Sequence, residues 1–542
     1  MSQHIRRFSG VVFFVAGAVV LAAQAGQHDQ HAGAPPDRLG SASVDFRTSC
    51  AAGVKPDFNR AVALLHSFWF PEARAAFQDI AKKDPTCAMA HWGIALTYWG
   101  NPFGGLRAAG PMETGRAAIA LGQSTGTPTP RERTYIDAVA GLFSSADPGT
   151  QRTRVLAYEA AMEKLARDNP NDTEGRIFWA LAVTQTALPT DKTYAQNLKA
   201  AGILEPMFKK MPSHPGLAHY IIHAYDVPAL APKALGAARR YASLAPAVPH
   251  ALHMPSHTFT RVGDWRDSIA TNLASADAAR QSKSSGDELH ALDYQAYAYL
   301  QIANDPAAMG AIERARQVIS SGEGATAGAA GAGAFALAAM PARYALERRQ
   351  WADAAKLQVL PASTPFTQAM THFARAIGAA RSGNPAGVPA ELAAISALRE
   401  RLIAAKDPYW PEQLDVQRQV AEAWMQFAEG KRDEAIAKLS AAASAEDATD
   451  KSAISPGPLA PARELLGYML LEAGQPKPAL AAFQAVMKKE PNRFLAIYGA
   501  GQAAEALKQP TTARQYYRQL VTMCKDAPAG RPELEHARQA AK

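Results

Sequence analysis

The sequence predicts an all-α protein in which antiparallel helix pairs stack into a solenoid. Apolar residues recur with a helical period along most of the 542 residues, and no alternating strand pattern of useful length interrupts them. Small and large residues also recur at matching places near both ends of the chain, which is typical of a helical repeat. In such an array each repeat buries its apolar face against its neighbours.

The clearest repeat lies near the C-terminus. Leu466 and Gly467 form the large–small pair of its first helix, Ala479 and Phe483 lie four residues apart on its second helix, and Pro491 closes it. Small residues let the two helices approach closely, and large ones fill the gap between neighbours. Further matches to repeat positions are Gly501, Ala513 and Tyr517 in the next repeat, Ala73, Phe77 and Pro85 near the N-terminus, a first helix at Ala88–Trp99, Met207 with Pro215, and weaker second-helix starts at 353–355 and 434–436.

These repeats resemble the tetratricopeptide (TPR) family over most of residues 55–530. The resemblance implies helix pairs of about 34 residues, a superhelical shape and a concave surface that binds ligands. The expected organisation is a signal peptide at 1–25, a flexible leader at 26–54, an N-terminal solenoid at 55–320, a Gly/Ala-rich connection at 321–334, middle helical repeats at 335–443, a loose linker at 444–461 and C-terminal repeats at 462–542.

The first 25 residues have the features of a secretory signal peptide. Arg6 and Arg7 form a short basic region, residues 11–22 are apolar but too short to span a membrane, and Ala23–Ala25 is a small-x-small cleavage motif. The arginine pair also resembles a twin-arginine signal, although the residues around it fit that signal poorly. We expect cleavage near Ala25 and a periplasmic or secreted mature protein without a membrane span.

Composition argues against some classes of function. The formal net charge is +8, but Lys and Arg are scattered among Asp and Glu and form no basic run. The sequence therefore does not predict nucleic-acid binding. Cys50, Cys87 and Cys524 are too few for a disulfide scaffold, although Cys50 and Cys87 are close enough along the chain to pair in an oxidising compartment.

Histidines are concentrated in one part of the chain. Spacings of three and four residues place each of two groups on one face of a helix, within about 60° for the first group. Pro255 either kinks the second helix or begins it. Five of the 14 histidines lie within 39 residues, in the segments His219-Tyr-Ile-Ile-His223-Ala-Tyr-Asp226 and His250-Ala-Leu-His253-Met-Pro-Ser-His257.

The phase of the repeats brings these two segments together. If Pro215 closes one repeat, the first helices of the next two repeats place His219 opposite His250 and Asp226 opposite His257. Equivalent positions on adjacent helices lie roughly 10 Å apart, so inward-pointing side chains of the two helices can meet.

Converging imidazoles and a carboxylate are typical of a transition-metal site for copper, zinc or iron. Six candidates exceed the need of one ion, so some would support the ligands or two ions would bind. The alternatives are a metal-free polar groove that binds a ligand, and histidines that serve packing alone. The candidate ligands are His219, His223, Asp226, His250, His253 and His257, with His290 as a further possibility.

We expect other roles or environments for three further histidines. His91 takes the large-residue position of a first helix, which favours packing, although a curled solenoid could bring His66 or His91 near the patch. His214 precedes Pro215 in a turn, where we expect it to be exposed.

The two histidine segments also resemble a group of bacterial TPR proteins with paired His motifs. In that pattern an acidic residue, often Glu, follows the second His of the first motif, and here the position holds the shorter Asp226. This resemblance supports the site and implies no particular reaction.

Two hypotheses of function follow. The first is an exported solenoid with a His/Asp metal site in its concave groove, where an open coordination position could activate water or dioxygen. The second is a metal-free scaffold that binds a peptide, a protein or a small molecule in the groove. Metal carriage without chemistry ranks lowest, because the chain has no Met-rich or His-rich run. Nucleophilic serine catalysis is not indicated, because Ser256 lies inside the His motif without a nucleophile elbow.

Overall fold

Apolar helix faces are buried between antiparallel neighbours throughout the described chain. The computed structural model describes residues 39–321, 331–360 and 363–542. Within these ranges no strand occurs, and helix after helix packs against its successor and often against the helix two places further along. The architecture is therefore the all-α solenoid of helix pairs that the sequence predicts.

Proline marks the beginning of many of these helices, because its fixed φ suits the first turn and its missing N–H is not needed there. Pro215, Pro249 and Pro255 each begin a helix, so Pro255 starts a new helix and does not kink the preceding one. The α-helices are α1 (Lys55–His66), α2 (Phe70–Lys83), α3 (Ala88–Trp99), α4 (Ala109–Ser124), α5 (Pro130–Leu142), α6 (Gln151–Asp168), α7 (Thr173–Thr186), α8 (Ala195–Lys210), α9 (Pro215–Ala224), α10 (Leu235–Leu244), α11 (Pro249–His253), α12 (Pro255–Val262), α13 (Trp265–Gln281), α14 (Ser285–Gln301), α15 (Asp305–Ser320), α16 (Gly331–Glu347), α17 (Trp351–Ala354), α18 (Pro365–Arg381), α19 (Val388–Ala404), α20 (Trp410–Ala428), α21 (Arg432–Asp447), α22 (Ala462–Glu472), α23 (Pro476–Lys489), α24 (Phe494–Ala506), α25 (Pro510–Met523) and α26 (Pro532–Ala540).

Close contacts between glycines and aromatic rings set the spacing within the repeats. The ring of Phe483 lies between Gly467 and Gly499, and a Cβ atom at these positions would stand 2.7 and 2.4 Å from it. Real Cβ atoms do not approach so closely, so these contacts require glycine. The same arrangement joins Gly501 to Tyr517 at 2.4 Å and Gly93 to Phe77 at 2.5 Å. The repeat positions named from the sequence are thus the positions where the helices touch.

The apolar core is divided along the solenoid. One large cluster of buried side chains comes from residues 39–259 and another from residues 303–537, with smaller clusters from 289–340 and 265–298 between them. No helix within the described ranges is both long enough and apolar enough to cross a membrane.

The segment before α1 packs against the first repeats. Phe46 is buried, and its ring centroid lies 5.4 Å from that of Phe58 and 5.2 Å from that of Trp92. Cys50 and Cys87 form a disulfide bond that ties the segment to the start of α3. Residues 39–54, which the sequence assigned to a flexible leader, are therefore held by apolar burial and a covalent cross-link.

Two other expected boundaries differ from the helices. Residues 322–330 of the expected Gly/Ala-rich connection, 321–334, lie outside the described ranges. The rest of it, from Gly331 on, belongs to α16. Helix α21 continues to Asp447, so the helix-free stretch between α21 and α22 is 448–461. The expected signal peptide, 1–25, lies outside the described residues.

Three fully buried arginines join helices that are far apart in the sequence. A buried guanidinium is tolerated only when carboxylates or other acceptors replace its lost hydration. These contacts join α16 to α14, the start of α24 to α22 and to the end of α16, and the start of α26 to the start of α15. The pairs are Arg343 with Asp293, Arg493 with Glu347 and with Glu464 at 2.7 Å, and Arg531 with Asp305 at 2.7 Å.

We expect Gly499→Ala to lower the free energy of unfolding by about 1–3 kcal/mol, because its methyl group would overlap the Phe483 ring. Urea or thermal unfolding followed by circular dichroism measures the change. The matched control is Gly202→Ala on α8, an exposed position where a Cβ meets nothing within 4 Å. That variant should be as stable as the wild type or more stable by up to about 1 kcal/mol. Equal behaviour of the two variants would contradict the packing argument.

Candidate metal centre

Six imidazoles lie together where α9, α11, α12 and α14 meet. Five of them are the histidines of the two sequence motifs, and the sixth is His290 of α14. They form a first triad of His219, His223 and His250 and a second triad of His253, His257 and His290, and in each triad one nitrogen from every ring lies within 4.8 Å of the others. The triads are neighbours, because ring centroids are 6.1 Å apart for His223–His257 and 6.2 Å apart for His250–His253.

The first triad combines one helical turn of α9 with the start of α11. Nε2 of His219 lies 3.0 Å from Nε2 of His223 and 3.2 Å from Nε2 of His250. Nδ1 of His219 is 2.6 Å from the backbone carbonyl oxygen of His66. Because a carbonyl oxygen only accepts, this Nδ1 carries the hydrogen, and Nε2 of the neutral ring turns its lone pair toward the other two rings.

In the second triad the partners of two rings fix both tautomers. His253 Nδ1 donates to Oδ1 of Asn272 at 2.7 Å, and Asn272 Nδ2 donates to the Ser268 carbonyl, which sets the orientation of the amide. His257 Nδ1 donates to the carboxylate of Asp226 at 2.9 Å. The Nε2 atoms of His253 and His257 therefore both carry lone pairs, and they face each other at 3.1 Å.

Protonation of these rings is opposed by their surroundings. Burial lowers the pKa of all six imidazoles, and neighbouring imidazoles lower it further for most of them. Burial alone would raise the pKa of Asp226, but the charges of Lys451 and Arg261 and the interaction with His257 together outweigh burial and hold that pKa well below its ordinary value. The site is therefore neutral imidazole beside an ionised carboxylate.

Asp226 lies behind His257, on the side of that ring away from the second triad. Its carboxylate accepts hydrogen bonds from Nδ1 of His257 and from Nε of Arg261, both at 2.9 Å, and Lys451 Nζ stands 3.7 Å away. The contacts Asp226–His257 and His219–His250 both join residues 31 positions apart, so the structure brings together the two pairs that the repeat phase placed opposite each other.

The other histidines have different environments. His66 contacts Glu174 at 2.8 Å and the Tyr220 hydroxyl at 2.9 Å, and only its carbonyl touches the first triad. His214 was expected to be exposed, but it is fully buried and lies 3.0 Å from the same Glu174. The buried carboxylate needs hydrogen-bond donors, and these two rings supply them. His91 is half-buried and lies outside both triads.

Aromatic rings cover the triads. Phe103 stacks on His223 with centroids 4.3 Å apart, and Phe68 stacks on His250 at 5.4 Å. On the second triad the ring of Tyr294 lies 4.6 Å from that of His253. Four of the six imidazoles are buried, and His250 and His290 are partly exposed. Where the cover excludes water, it strengthens electrostatic interactions within the site.

A cleft that is open to solvent lies next to Asp226, and we call it the side cleft. Arg261 and Lys451 line it, and both also contact Asp226. The helix-free stretch 448–461 supplies much of its wall, together with α18, α20 and the end of α21. A single carboxylate thus stands between the cleft and His257.

Sequence reasoning missed the groups that orient the imidazoles. Asn272 lies on α13, 19 residues after His253, and neither its residue type nor its spacing marks it. The carbonyl of His66 is 153 residues from His219 and carries no side-chain signal at all. His290 was identified as a candidate because of its place near the next first helix, and it completes the second triad.

Comparison with known proteins agrees with the repeat assignment. A tetratricopeptide repeat family model matches residues 495–524, which cover most of α24 and all of α25. This segment is therefore a tetratricopeptide repeat, as Gly501, Ala513 and Tyr517 predict. No curated protein matches the chain significantly.

The chain is also similar to solved structures at low sequence identity. One is the APC/C hetero-tetramer Cut9-Hcn1, with 11% identity, 89% of each chain covered and a TM-score of 0.33. The P58(IPK) TPR domain has 12% identity, covers 90% of this chain and 98% of that one, and gives a TM-score of 0.20. A monomeric IFIT1 mutant with Gppp-AAAA has 12% identity, covers 88% and 96%, and gives 0.37. At these TM-scores none of them carries an argument about function.

We expect stability to depend on pH through Glu446 in the side cleft. Burial raises the pKa of this carboxyl to about 7, from 4.5 when it is unperturbed. Because the pKa is raised in the folded state, the contribution of Glu446 to the free energy of unfolding is complete below pH 4.5 and is lost as pH rises from there through 7. Glu446→Gln keeps an oxygen that can accept from the Ala462 amide, at 2.8 Å in the wild type, but cannot ionise.

The variant should match the wild type near pH 4.5 and be more stable by about 1–2 kcal/mol at pH 8, measured by urea unfolding at both pH values. The control is Glu113→Gln, at an exposed position of α4, which should change neither value. An equal difference between Glu446→Gln and wild type at both pH values would refute the assignment.

Proposed function

We propose that this chain is an exported helical-repeat protein that holds two transition-metal ions, one in each histidine triad. The observation that carries the proposal is the pair of lone pairs on His253 and His257, which face each other at 3.1 Å. Two such nitrogens repel each other, and neither ring can turn over without losing its Nδ1 hydrogen bond. A cation between them converts the repulsion into two favourable bonds.

The spacing of the nitrogens suits a shared ion. Imidazole nitrogens bind zinc and similar ions at about 2.0–2.1 Å, so two ligands of one ion stand roughly 3.0–3.4 Å apart at ordinary ligand angles. The Nε2 distances of 3.0, 3.2 and 3.1 Å fall in or at the edge of this range. Nδ1 donation to an oxygen is also the usual way in which proteins orient histidine ligands.

In this proposal the ligands are the six imidazoles, and Asp226 supports them. Its carboxylate binds the Nδ1 hydrogen of His257 and so makes Nε2 of that ring a better donor to a metal. Asn272 has the same role for His253, and the His66 carbonyl has it for His219. Asp226 thus takes part in the site from behind a ligand, where the sequence suggested direct binding.

The donor set favours copper or zinc. Neutral imidazole suits copper, zinc, iron and nickel, whereas magnesium, calcium and manganese prefer oxygen ligands. Arg261 and Lys451 stand beside Asp226, so the site has no spare negative charge to balance two buried dications. Because the cost of burying charge rises with the charge, monovalent copper is the ion that this environment opposes least.

Three imidazoles would leave coordination positions open on an ion bound in either triad. An open ion can bind and activate water or dioxygen, and two neighbouring ions can act on one small molecule. The rings of Phe103 and Tyr294 border the triads and limit access to them. We propose metal-dependent activation of water or oxygen as the reaction class.

Export is supported by two independent features. The N-terminal sequence has the basic, apolar and small-x-small regions of a signal peptide ending at Ala25. The Cys50–Cys87 disulfide forms in oxidising compartments and is rare in the cytosol.

We expect about two metal ions per chain in protein purified without an affinity tag, measured by elemental analysis. Either single variant His223→Ala or His253→Ala should lose about one ion, because each removes a ligand from one triad only. The double variant should lose both. Loss of a histidine ligand weakens metal binding strongly because an ion with two ligands is held poorly.

His91→Ala is the matched control, since that ring lies outside the triads and should leave the metal content unchanged. Helical circular dichroism of every variant must equal that of the wild type. If the wild type binds no copper, zinc or iron even after incubation with each, the proposal fails. The remaining function is then the one that tetratricopeptide repeats commonly serve, the binding of a peptide or protein partner.

A second expectation concerns the oxygen that orients His253. Asn272→Leu removes the acceptor for Nδ1 while keeping a similar volume, so the second triad should lose roughly 10- to 100-fold in metal affinity. Asn272→Asp keeps an acceptor and should bind nearly as well as the wild type. Competition with a chelator measures both affinities, and equal loss in the two variants would indicate a packing defect instead.

A further inference from the structure

The side cleft contains several buried polar atoms that lack partners. A buried donor or acceptor without a hydrogen bond costs about 1–3 kcal/mol, so a protein rarely gathers many in one place. Here five such atoms belong to residues that line the same cleft, and they include both donors and acceptors. Without a hydrogen-bond partner among the described residues are Gln413 Nε2, Gln417 Oε1, Thr449 Oγ1, Asp450 Oδ1 and Lys451 Nζ.

Lys451 is the cation that gives the cleft its preference. Its side chain is 8% exposed, and its contact with Asp226 is 3.7 Å long. Asp226 accepts hydrogen bonds from His257 and Arg261, whereas Lys451 adds only this long ion pair, so Lys451 Nζ has no hydrogen-bond partner among the described residues. Burial lowers the pKa of Lys451 to about 8, which leaves the ammonium mostly charged at neutral pH.

Another part of the cleft wall is aromatic. Trp410 lines the cleft and stacks flat on Phe366, with ring centroids 4.3 Å apart. Phe335 and Phe373 also line it. The Tyr409 hydroxyl accepts from the Ser452 amide at 2.9 Å and donates to the Asp450 carbonyl at 3.2 Å, so stretch 448–461 is held in place without a helix.

We propose that the side cleft binds a small organic acid that has a flat aromatic body and a hydroxyl or amino group. The carboxylate would take the donors of Lys451, the ring would pack on the aromatic wall, and the hydroxyl or amino hydrogens would meet Asp450 Oδ1 and Gln417 Oε1.

The charges of the cleft disfavour more highly charged ligands. Asp450 and Glu490 line it as well, and Asp450 Oδ2 forms an ion pair with Lys192 at 3.0 Å. Arg261 and Lys489 also line the cleft, but each already has a carboxylate partner, Asp226 and Asp447 respectively. A polyanion such as a nucleotide would therefore find one unpaired cation, Lys451, which suits a single carboxylate. The inference does not require a metal in either triad.

The test is calorimetric titration of 4-hydroxybenzoate into the full mature chain after treatment with a chelator. We expect saturable binding of one molecule per chain with a dissociation constant below about 1 mM. The neutral analogue 4-hydroxybenzyl alcohol should bind roughly 10- to 100-fold more weakly, because it cannot form the charge-assisted hydrogen bonds to Lys451.

Lys451→Met should weaken binding of 4-hydroxybenzoate by the same factor, and Lys451→Gln serves if the first variant does not fold. Lys477→Met, at an exposed position of α23, is the control and should bind like the wild type. No saturable binding, or equal binding by wild type and both Lys451 variants, overturns the proposal. Binding that appears only after metal is restored also overturns it, because the probe is then a ligand of the ions. Metal content measured on the same samples keeps this result separate from the fate of the metal proposal.

Discussion

A neutral imidazole has one N–H and one lone pair, and in a buried site its partners decide which nitrogen holds which. In this protein the Nδ1 hydrogens of His219, His253 and His257 are each given to an oxygen acceptor. Their Nε2 lone pairs therefore point into the triads, and burial opposes the protons that could neutralise the repulsion. This constraint is the physical basis of the proposed metal site.

The helical repeat supplies the positions at which those tautomers meet. Because successive first helices lie side by side, residues 31 positions apart come into contact, which joins His219 to His250 and Asp226 to His257. A close approach of helices is also needed at Gly216, where a Cβ would stand 2.7 Å from Nδ1 of His66. That approach brings the end of α1 against α9 and puts the His66 carbonyl within reach of His219.

The sequence predicts what depends on periodicity and misses what depends on single long-range contacts. The positions of Gly467 and Phe483 and the bounds of the helix at 88–99 follow from repeat spacing, and so does the pairing of the two histidine motifs. The oxygens that accept from the imidazoles cannot be predicted from repeat spacing. Asn272 lies on the second helix of its repeat, and the His66 carbonyl is part of the backbone. Composition also misjudges residues 39–54 and 448–461, since a polar segment without helical period can be held by burial and a few hydrogen bonds.

Asp226 links the two places where binding is proposed. Its two oxygens are shared among His257, Arg261 and Lys451, and the last two line the side cleft. A carboxylate ligand on Lys451 would draw that ammonium away from Asp226 and leave more of the Asp226 charge on the His257 hydrogen bond. Positive charge in the second triad would in turn strengthen the hydrogen bond from His257 and weaken the hold of Asp226 on Lys451. Because one carboxylate serves both neighbours in a medium of low dielectric constant, a change of charge on either side is felt by the other, and binding of an organic acid and binding of a metal ion would each favour the other.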